Sequence, residues 1–330
     1  MAADEENAQA LWYVAPGRAE IREERLTRLA PGHVRVRALH GALSRGTEAL
    51  VAAGRVPDSE FERMRAPFMG GKFPFPVKYG YATVGKVEAG SPAMNGRTVF
   101  TLHPHQTLFD LPETAVVPLP GGVPAARGVL AANMETALNA TWDMSWDMDG
   151  GPSGRIAVVG AGVVGALTGF LCANAKVTDV TLVDINPARA EVARALGLKF
   201  AAPDAAPRDC HWVIHASASA AGLKTALDLA ADEATVLELS WYGSGDVPVP
   251  LGGAFHSRRL KLVASQVGKV APSRRATTTH RQRLEAAIAL LADPRLDVLL
   301  APAVPFKELP QRLPDILGAK SGVLCQVINY

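Results

Sequence analysis

The chain predicts an α/β protein in two parts, a β-rich region followed by a doubly wound parallel sheet. Three observations predict it. Up to about residue 127, short alternating or β-branched runs are broken repeatedly by Pro and Gly. After Gly154 the texture changes to strands separated by helical stretches, the pattern of a parallel sheet with crossover helices. Between the first strand and helix of that second part lies a glycine turn, Gly160-Ala161-Gly162-Val163-Val164-Gly165. The length fits: 330 residues is about two domains at roughly 150 residues each. With 48% apolar and 20% charged residues, the chain can bury a core without disulfide or metal staples.

In the first part, residues 34–39, 82–87 and 98–102 read as strands, and 61–76, with Gly70-Gly71 and three prolines, reads as an irregular loop. In the second part, Arg155 to Val159 is a buried strand, followed by an apolar helix from about Val163. Asp179 to Val183 is the next strand. Its helix carries Asn186 as N-cap, Pro187 at the first position and Gly197 just past the end. A third unit follows: strand Trp212 to Ala216, helix Gly222 to Ala230, strand Thr235 to Leu239. A long helix, about Thr278 to Ala292, places Leu284, Ile288 and Leu291 on one face, and Gly322 to Ile328 closes the chain as a strand.

Charge excludes several partners. Thirty-four Lys and Arg against 32 Asp and Glu leave +2, no footprint for nucleic acid or an anionic membrane. The basic clusters at 257–261 and 273–275 are too short to be binding arms. Cys172, Cys210 and Cys325 are odd in number and far apart, so free buried thiols in a reducing cytoplasm are expected. The acidic opening, Met1 to Glu6, does not suit a secretory signal. Ile156 to Ala175 is uncharged for twenty residues, long enough to span a bilayer. Its glycines suit a turn rather than a helix start, so a buried strand–turn–helix is expected.

The glycine turn carries most of the functional expectation. A GxGxxG alone is weak; here a strand precedes it, a helix follows, and Asp184 ends the next strand nineteen residues after Gly165. In a dinucleotide site, Gly160 makes the turn and Gly162 lets backbone approach the pyrophosphate. Gly165 packs helix on strand, and the amides near Val163 and Val164 face the phosphates. Asp184 as acceptor for both adenosine ribose hydroxyls favours NAD over NADP. Arg189 keeps NADP open, because it would meet a 2′-phosphate, or else sits on a solvated helix face.

This arrangement resembles the medium-chain dehydrogenase/reductase family over essentially the whole chain. The residues that carry the resemblance are Ser44-Arg45-Gly46-Thr47-Glu48, the run from Tyr79 to Val87, Met134 to Asn139, and the Gly160 turn. With Ser240-Trp241-Tyr242-Gly243, they look most like the subgroup of bacteriochlorophyllide hydroxyethyl dehydrogenases and unassigned alcohol dehydrogenases, without implying that substrate. The resemblance implies a GroES-like catalytic domain over 1–127, a Rossmann domain over 128–268, and a segment over 269–330 returning to the catalytic domain. It also implies dinucleotide contacts from Thr136, at the start of a helix, and from Ser217 and Ser240. A homodimer is implied, meeting through strands around Val247 to Ser265.

The departures from the family decide the chemistry. Where zinc-dependent members keep a Cys, this chain has Arg45; where they keep Gly-His-Glu, it has Gly80-Tyr81-Ala82; the third ligand falls near Asn133. These side chains do not supply the three N, S or carboxylate ligands that zinc takes. The four-cysteine structural zinc lobe is missing too, and His103 and His105 are expected to be a solvated loop pair. Without zinc, Tyr81 and Thr47 are the expected catalytic pair at the reacting oxygen, with Arg45 as a source of positive charge. Their structural alternatives are a core aromatic with its hydroxyl satisfied, a turn residue, and a surface or ion-paired arginine. Glu48 is expected to pair with an Arg.

Three functions remain open. The first is a zinc-independent, NAD(P)-dependent oxidoreductase interconverting a small secondary alcohol and a ketone. The second is a quinone- or enoyl-type reductase on the same scaffold, and the third a non-catalytic NAD(P)-binding sensor or scaffold.

Overall fold

A computed structural model describes residues 6–144, 154–175 and 179–330. The acidic stretch Met1 to Glu5 lies outside the described residues. The chain divides into two compact units, 1–132 with 300–330, and 133–299.

The first unit opens with β1 (Glu6–Ala15), β2 (Arg18–Leu26) and β3 (His33–Leu43), then α1 (Arg45–Ala52). The predicted loop at 61–76 does contain one short paired segment, β4 (Gly70–Gly71), which joins β5 (Val77–Lys78). Next come β6 (Thr83–Ala89), β7 (Thr98–Thr101), β8 (Leu108–Pro112), β9 (Val116–Pro118) and the single turn α2 (Ala125–Gly128). The runs at 34–39, 82–87 and 98–102 thus coincide with β3, β6 and β7. The alternation buries Val34, Val36 and Ala38 of β3 against Val87, Val99, Phe109 and Leu111.

Within the second unit, α3 (its helix spans Ala131–Asp143) precedes β10 (Ile156–Val159), α4 (Val163–Asn174), β11 (Val180–Val183), α5 (Arg189–Ala195) and β12 (Lys199–Ala201). Then follow β13 (Cys210–His215), α6 (Ala220–Leu229), β14 (Ala230–Glu238), β15 (Lys261–Ala264) and α7 (His280–Leu290). The six strands form one all-parallel sheet in the order β12-β11-β10-β13-β14-β15. That order reverses between β10 and β13, the switch point at whose carboxyl ends ligands bind in doubly wound sheets. The uncharged stretch 156–175 is β10, the turn and α4. Among the described residues no helix is long and apolar enough to cross a membrane.

Two local expectations are corrected here. The helix after β11 begins at Arg189 rather than Pro187, because Asn186 accepts the Ala188 amide (3.0 Å) and forms its own turn first. The stretch 247–265 is not strand throughout; Leu251–Phe255 is a wide helical turn before β15. The long helix keeps its predicted face: Leu284, Ile288 and Leu291 are buried, and Thr279 with Gln282 makes a capping box.

The chain returns to the first unit through β16 (Leu300–Pro305), α8 (Leu309–Leu317) and β17 (Cys325–Asn329). β17 pairs with β3, extending a sheet ordered β16-β17-β3-β6-β7-β9. The return falls at 300, where the resemblance implies 269. Arg283 of α7 is fully buried and donates to Glu135 (3.1 Å) and to Asn139, which holds α7 in the second unit.

Candidate active site

Two of the three turn glycines, Gly160 and Gly165, have no room for a side chain, whereas Gly162 has open space. Gly160 follows β10 with φ +104, and a Cβ there would lie 2.6 Å from the Ser217 amide nitrogen. Gly165 packs against the turn. Gly162, the residue before α4, is extended, and a Cβ there would meet nothing within 4 Å. Open space beside the first amides of a twelve-residue helix suits an anionic group. Val163 and Val164 occupy that first turn and are half-buried. Asp184, at the end of β11, accepts from the Ala161 amide through Oδ2 and from the Asn186 amide through Oδ1, both at 2.8 Å. It ties the turn to the second strand. Arg189 is the first residue of α5 and is half-buried. Thr136 lies in the second turn of α3, not at its start, and is half-buried.

Ser217 and Ser240 belong to a polar cluster at the ends of β13 and β14. Its centre is His215, fully buried, whose Nδ1 is 2.7 Å from Glu238 Oε2 and whose Nε2 is 2.6 Å from Ser217 Oγ. The Ser240 amide (2.7 Å) and the Tyr242 hydroxyl (3.0 Å) also donate to Glu238. Burial pushes the Glu238 carboxyl up, but His215 and the hydrogen bonds from Ser240 outweigh it and hold it below its usual value. Sequence reasoning missed His215, Glu238 and Tyr242 as site residues. The available signal was a polar residue closing each of two apolar buried strands.

In the first unit, the Ser44 and Thr47 side chains act on the Tyr81 phenol and draw its pKa down. Burial outweighs them and pushes the phenol up to about 12, so it stays protonated at neutral pH. Its ring meets Tyr79 edge-on at 6.0 Å.

Beneath this cluster Glu48 is completely buried, and its partner is not an arginine. Its carboxylate accepts from the Tyr13 hydroxyl (2.9 Å), from the Ser44 amide (2.8 Å) and from His105, whose Nε2 lies 2.9 Å away. Three hydrogen-bond partners stand in place of a salt bridge to Arg. The histidine pair is not solvated either. His105 is fully buried, and His103 stacks on Phe109 with centroids 3.7 Å apart, burial driving its pKa down to about 3.

Arg45 points elsewhere than the sequence suggests. Its guanidinium donates to the carbonyls of Ile316 (2.8 Å), Gly318 (2.9 Å) and Val323, binding the end of α8 to α1. The positions of the family's zinc ligands therefore make no donor set for zinc. Arg45 is committed to carbonyls, Tyr81 stays a phenol, Ala82 has no donor atom and Asn133 is a buried amide. Among the described residues no three His, Cys, Asp or Glu stand together in a metal-holding group. The three cysteines are free and buried, and burial raises each thiol pKa.

This two-unit architecture, a β-rich unit and a unit built on an all-parallel six-stranded sheet, is shared with solved dehydrogenase structures that match along the full chain. L-idonate 5-dehydrogenase from Escherichia coli superposes with a TM-score of 0.79 at 13% identity, covering 100% of both chains. A short chain alcohol dehydrogenase from Escherichia coli, complexed with NADH, gives 0.76 at 14% identity, covering 98% and 99%. A zinc-binding dehydrogenase from Sinorhizobium meliloti, so named by inference and bound to NADP, gives 0.75 at 17%, covering 98% and 100%. Identities this low establish the shared fold. Neither a scan against family models nor a search of curated proteins gives a match.

Proposed function

We propose that the chain is an NAD(P)-dependent oxidoreductase that interconverts a secondary alcohol and a ketone by hydride transfer without zinc. The observation that carries this reading is the Gly162 position. It is open to a ligand backbone at the start of α4, while its neighbours Gly160 and Gly165 leave no room for any side chain. Gly160, Gly162 and Gly165, with the Val163 and Val164 amides, hold the pyrophosphate, and Asp184 accepts from the adenosine ribose. The negative charge of Asp184 favours NAD over NADP, and Thr136, Ser217 and Ser240 complete the contacts. The bound nicotinamide supplies the hydride acceptor in oxidation and the hydride donor in reduction.

Tyr81 then serves as the acid. Its phenol, protonated at neutral pH, donates to the carbonyl oxygen and gives up its proton as that oxygen becomes an alcohol. The Thr47 and Ser44 hydroxyls stabilise the phenolate so formed and relay a proton from solvent back to it. This acid set favours the carbonyl reaction over a quinone- or enoyl-type reductase, for which an apolar slot suffices, and over a non-catalytic sensor. On this reading the first unit is catalytic and the second binds dinucleotide.

Assembly as a homodimer in the cytoplasm goes with it. β15 is the free edge of the six-stranded sheet, with Leu262 and Val263 38% and 41% exposed. Such an edge is a template for pairing with a second copy. Light scattering that finds a monomer at micromolar concentration would remove the dimer. The central test is calorimetric titration with NADH and NADPH, followed by a panel of alcohols and ketones monitored by NAD(P)H absorbance. Binding of neither dinucleotide would refute the reading.

A further inference from the structure

We propose that Ser217 is a base-activated nucleophile and that the second unit hydrolyses small carboxylic esters. β13 and β14 pair in register with His215 beside Glu238, so the strand ends bring an imidazole and a carboxylate together. The 2.7 Å contact from Nδ1 to Glu238 places the ring proton on Nδ1, and leaves Nε2 as an acceptor 2.6 Å from Ser217 Oγ. That is the nucleophile–base–acid order of acyl-transfer sites, recognised by geometry rather than by sequence position. His215 is fully buried while Ser217 is only half-buried, so the base is shielded and the nucleophile is reachable.

The surroundings fit the same chemistry. Ser219 Oγ lies 3.0 Å from Ser217 Oγ and accepts the Gly222 amide. Ala218, between the two serines, has φ +50 and makes the sharp strand-to-helix turn on which nucleophilic serines are presented. A Cβ on Gly222 would lie 2.0 Å from Ser217 Oγ, so the glycine lets the serine sit over the first turn of α6. The opening amides of that ten-residue helix are donors for an oxyanion.

In the first half-reaction Ser217 Oγ bonds to the acyl carbon as its proton passes to His215 Nε2. The carbon–oxygen bond to the leaving alcohol breaks, and that oxygen takes the proton. Water, deprotonated by Nε2, then cleaves the acyl-serine, releasing the acid and restoring Ser217. Ester and water become acid and alcohol, with no change of oxidation state.

The assay uses the full chain without dinucleotide, so its result stands apart from the oxidoreductase reading. Wild type is expected to release nitrophenolate from p-nitrophenyl acetate at least about tenfold faster than Ser217→Ala or Glu238→Gln. A fluorophosphonate is expected to stop the wild-type reaction with one adduct, mapped by peptide mass to Ser217. The adduct needs no variant, so a misfolded Ser217→Ala leaves the proposal testable. Equal rates in wild type and a folded Ser217→Ala, or no adduct on Ser217 after exhaustive exposure, would overturn it.

Discussion

A Cβ placed on Gly165 would lie 2.0 Å from the carbonyl oxygen of Gly160. The first turn of α4 and the end of β10 touch backbone to backbone, with no room for a methyl group. Gly162, three residues earlier, has open space at the same place. The two substitutions therefore separate folding from binding. Gly165→Ala is expected to force the turn apart, lowering thermal stability and dinucleotide affinity together. Gly162→Ala is expected to melt within a few degrees of wild type, since its φ of −73 suits alanine, yet to bind NADH at least about tenfold more weakly. Equal NADH affinity in Gly162→Ala and wild type would move the pyrophosphate away from this turn.

Tyr81 and Thr47 give a kinetic prediction. Tyr81→Phe should lower turnover at least about tenfold and leave NADH affinity nearly unchanged, because the lost interaction exists only in the transition state. Thr47→Val should act in the same direction. The double variant should lose less than the product of the singles if the two hydroxyls serve one proton path. Full turnover in Tyr81→Phe would make the tyrosine a packing residue.

His103 predicts a pH dependence of stability. Its native pKa is about 3, against 6.5 for an exposed histidine, because the neutral ring is buried against Phe109 and Phe68. Between those values the unfolded chain binds a proton that the native chain does not, so stability falls as pH falls below 6.5. The slope from this one group is about 1.4 kcal/mol per pH unit. Urea unfolding at pH 7 and pH 5 should show wild type losing about 2 kcal/mol more than His103→Phe. Parallel losses in the two proteins would mean that His103 titrates normally.

Glu48→Gln tests the buried carboxylate. An amide matches the shape but brings an NH2 group toward either the Ser44 amide or the Tyr13 hydroxyl and His105, all of which donate to the native carboxylate. Stability should fall by about 1–3 kcal/mol in urea unfolding. Because Ser44 and Thr47 begin α1 beside Glu48, turnover should fall as well. A variant as stable as wild type would show that the cluster tolerates a neutral centre.

Much of the fold was legible because its causes are local. Alternation in β3, the apolar run of β10 and the spacing of Gly160, Gly162, Gly165 and Asp184 all act within about twenty-five residues, where propensity and turn sterics set the conformation. Ser44 was not legible as a neighbour of Tyr81, whose phenol it influences together with Thr47, because it lies 37 residues away in the chain. Helix starts were less legible: Asn186 suits a cap and an Asx turn equally, and the contacts of the folded strand end selected the turn.

What the amino-acid order determined by itself was therefore the two-part α/β architecture, the glycine turn, and the lack of zinc-type side chains at Arg45, Tyr81 and Ala82. The tertiary structure decided who partners whom. Arg45 reaches carbonyls some 270 residues away. Glu48 finds a histidine 57 residues on rather than an arginine, and His215 meets Glu238 because β13 and β14 pair in that register. Local propensity carries no information about such contacts. A buried charge or imidazole must be satisfied by whichever donor or acceptor strand register and loop closure bring within 3 Å, and only the assembled core specifies that neighbour.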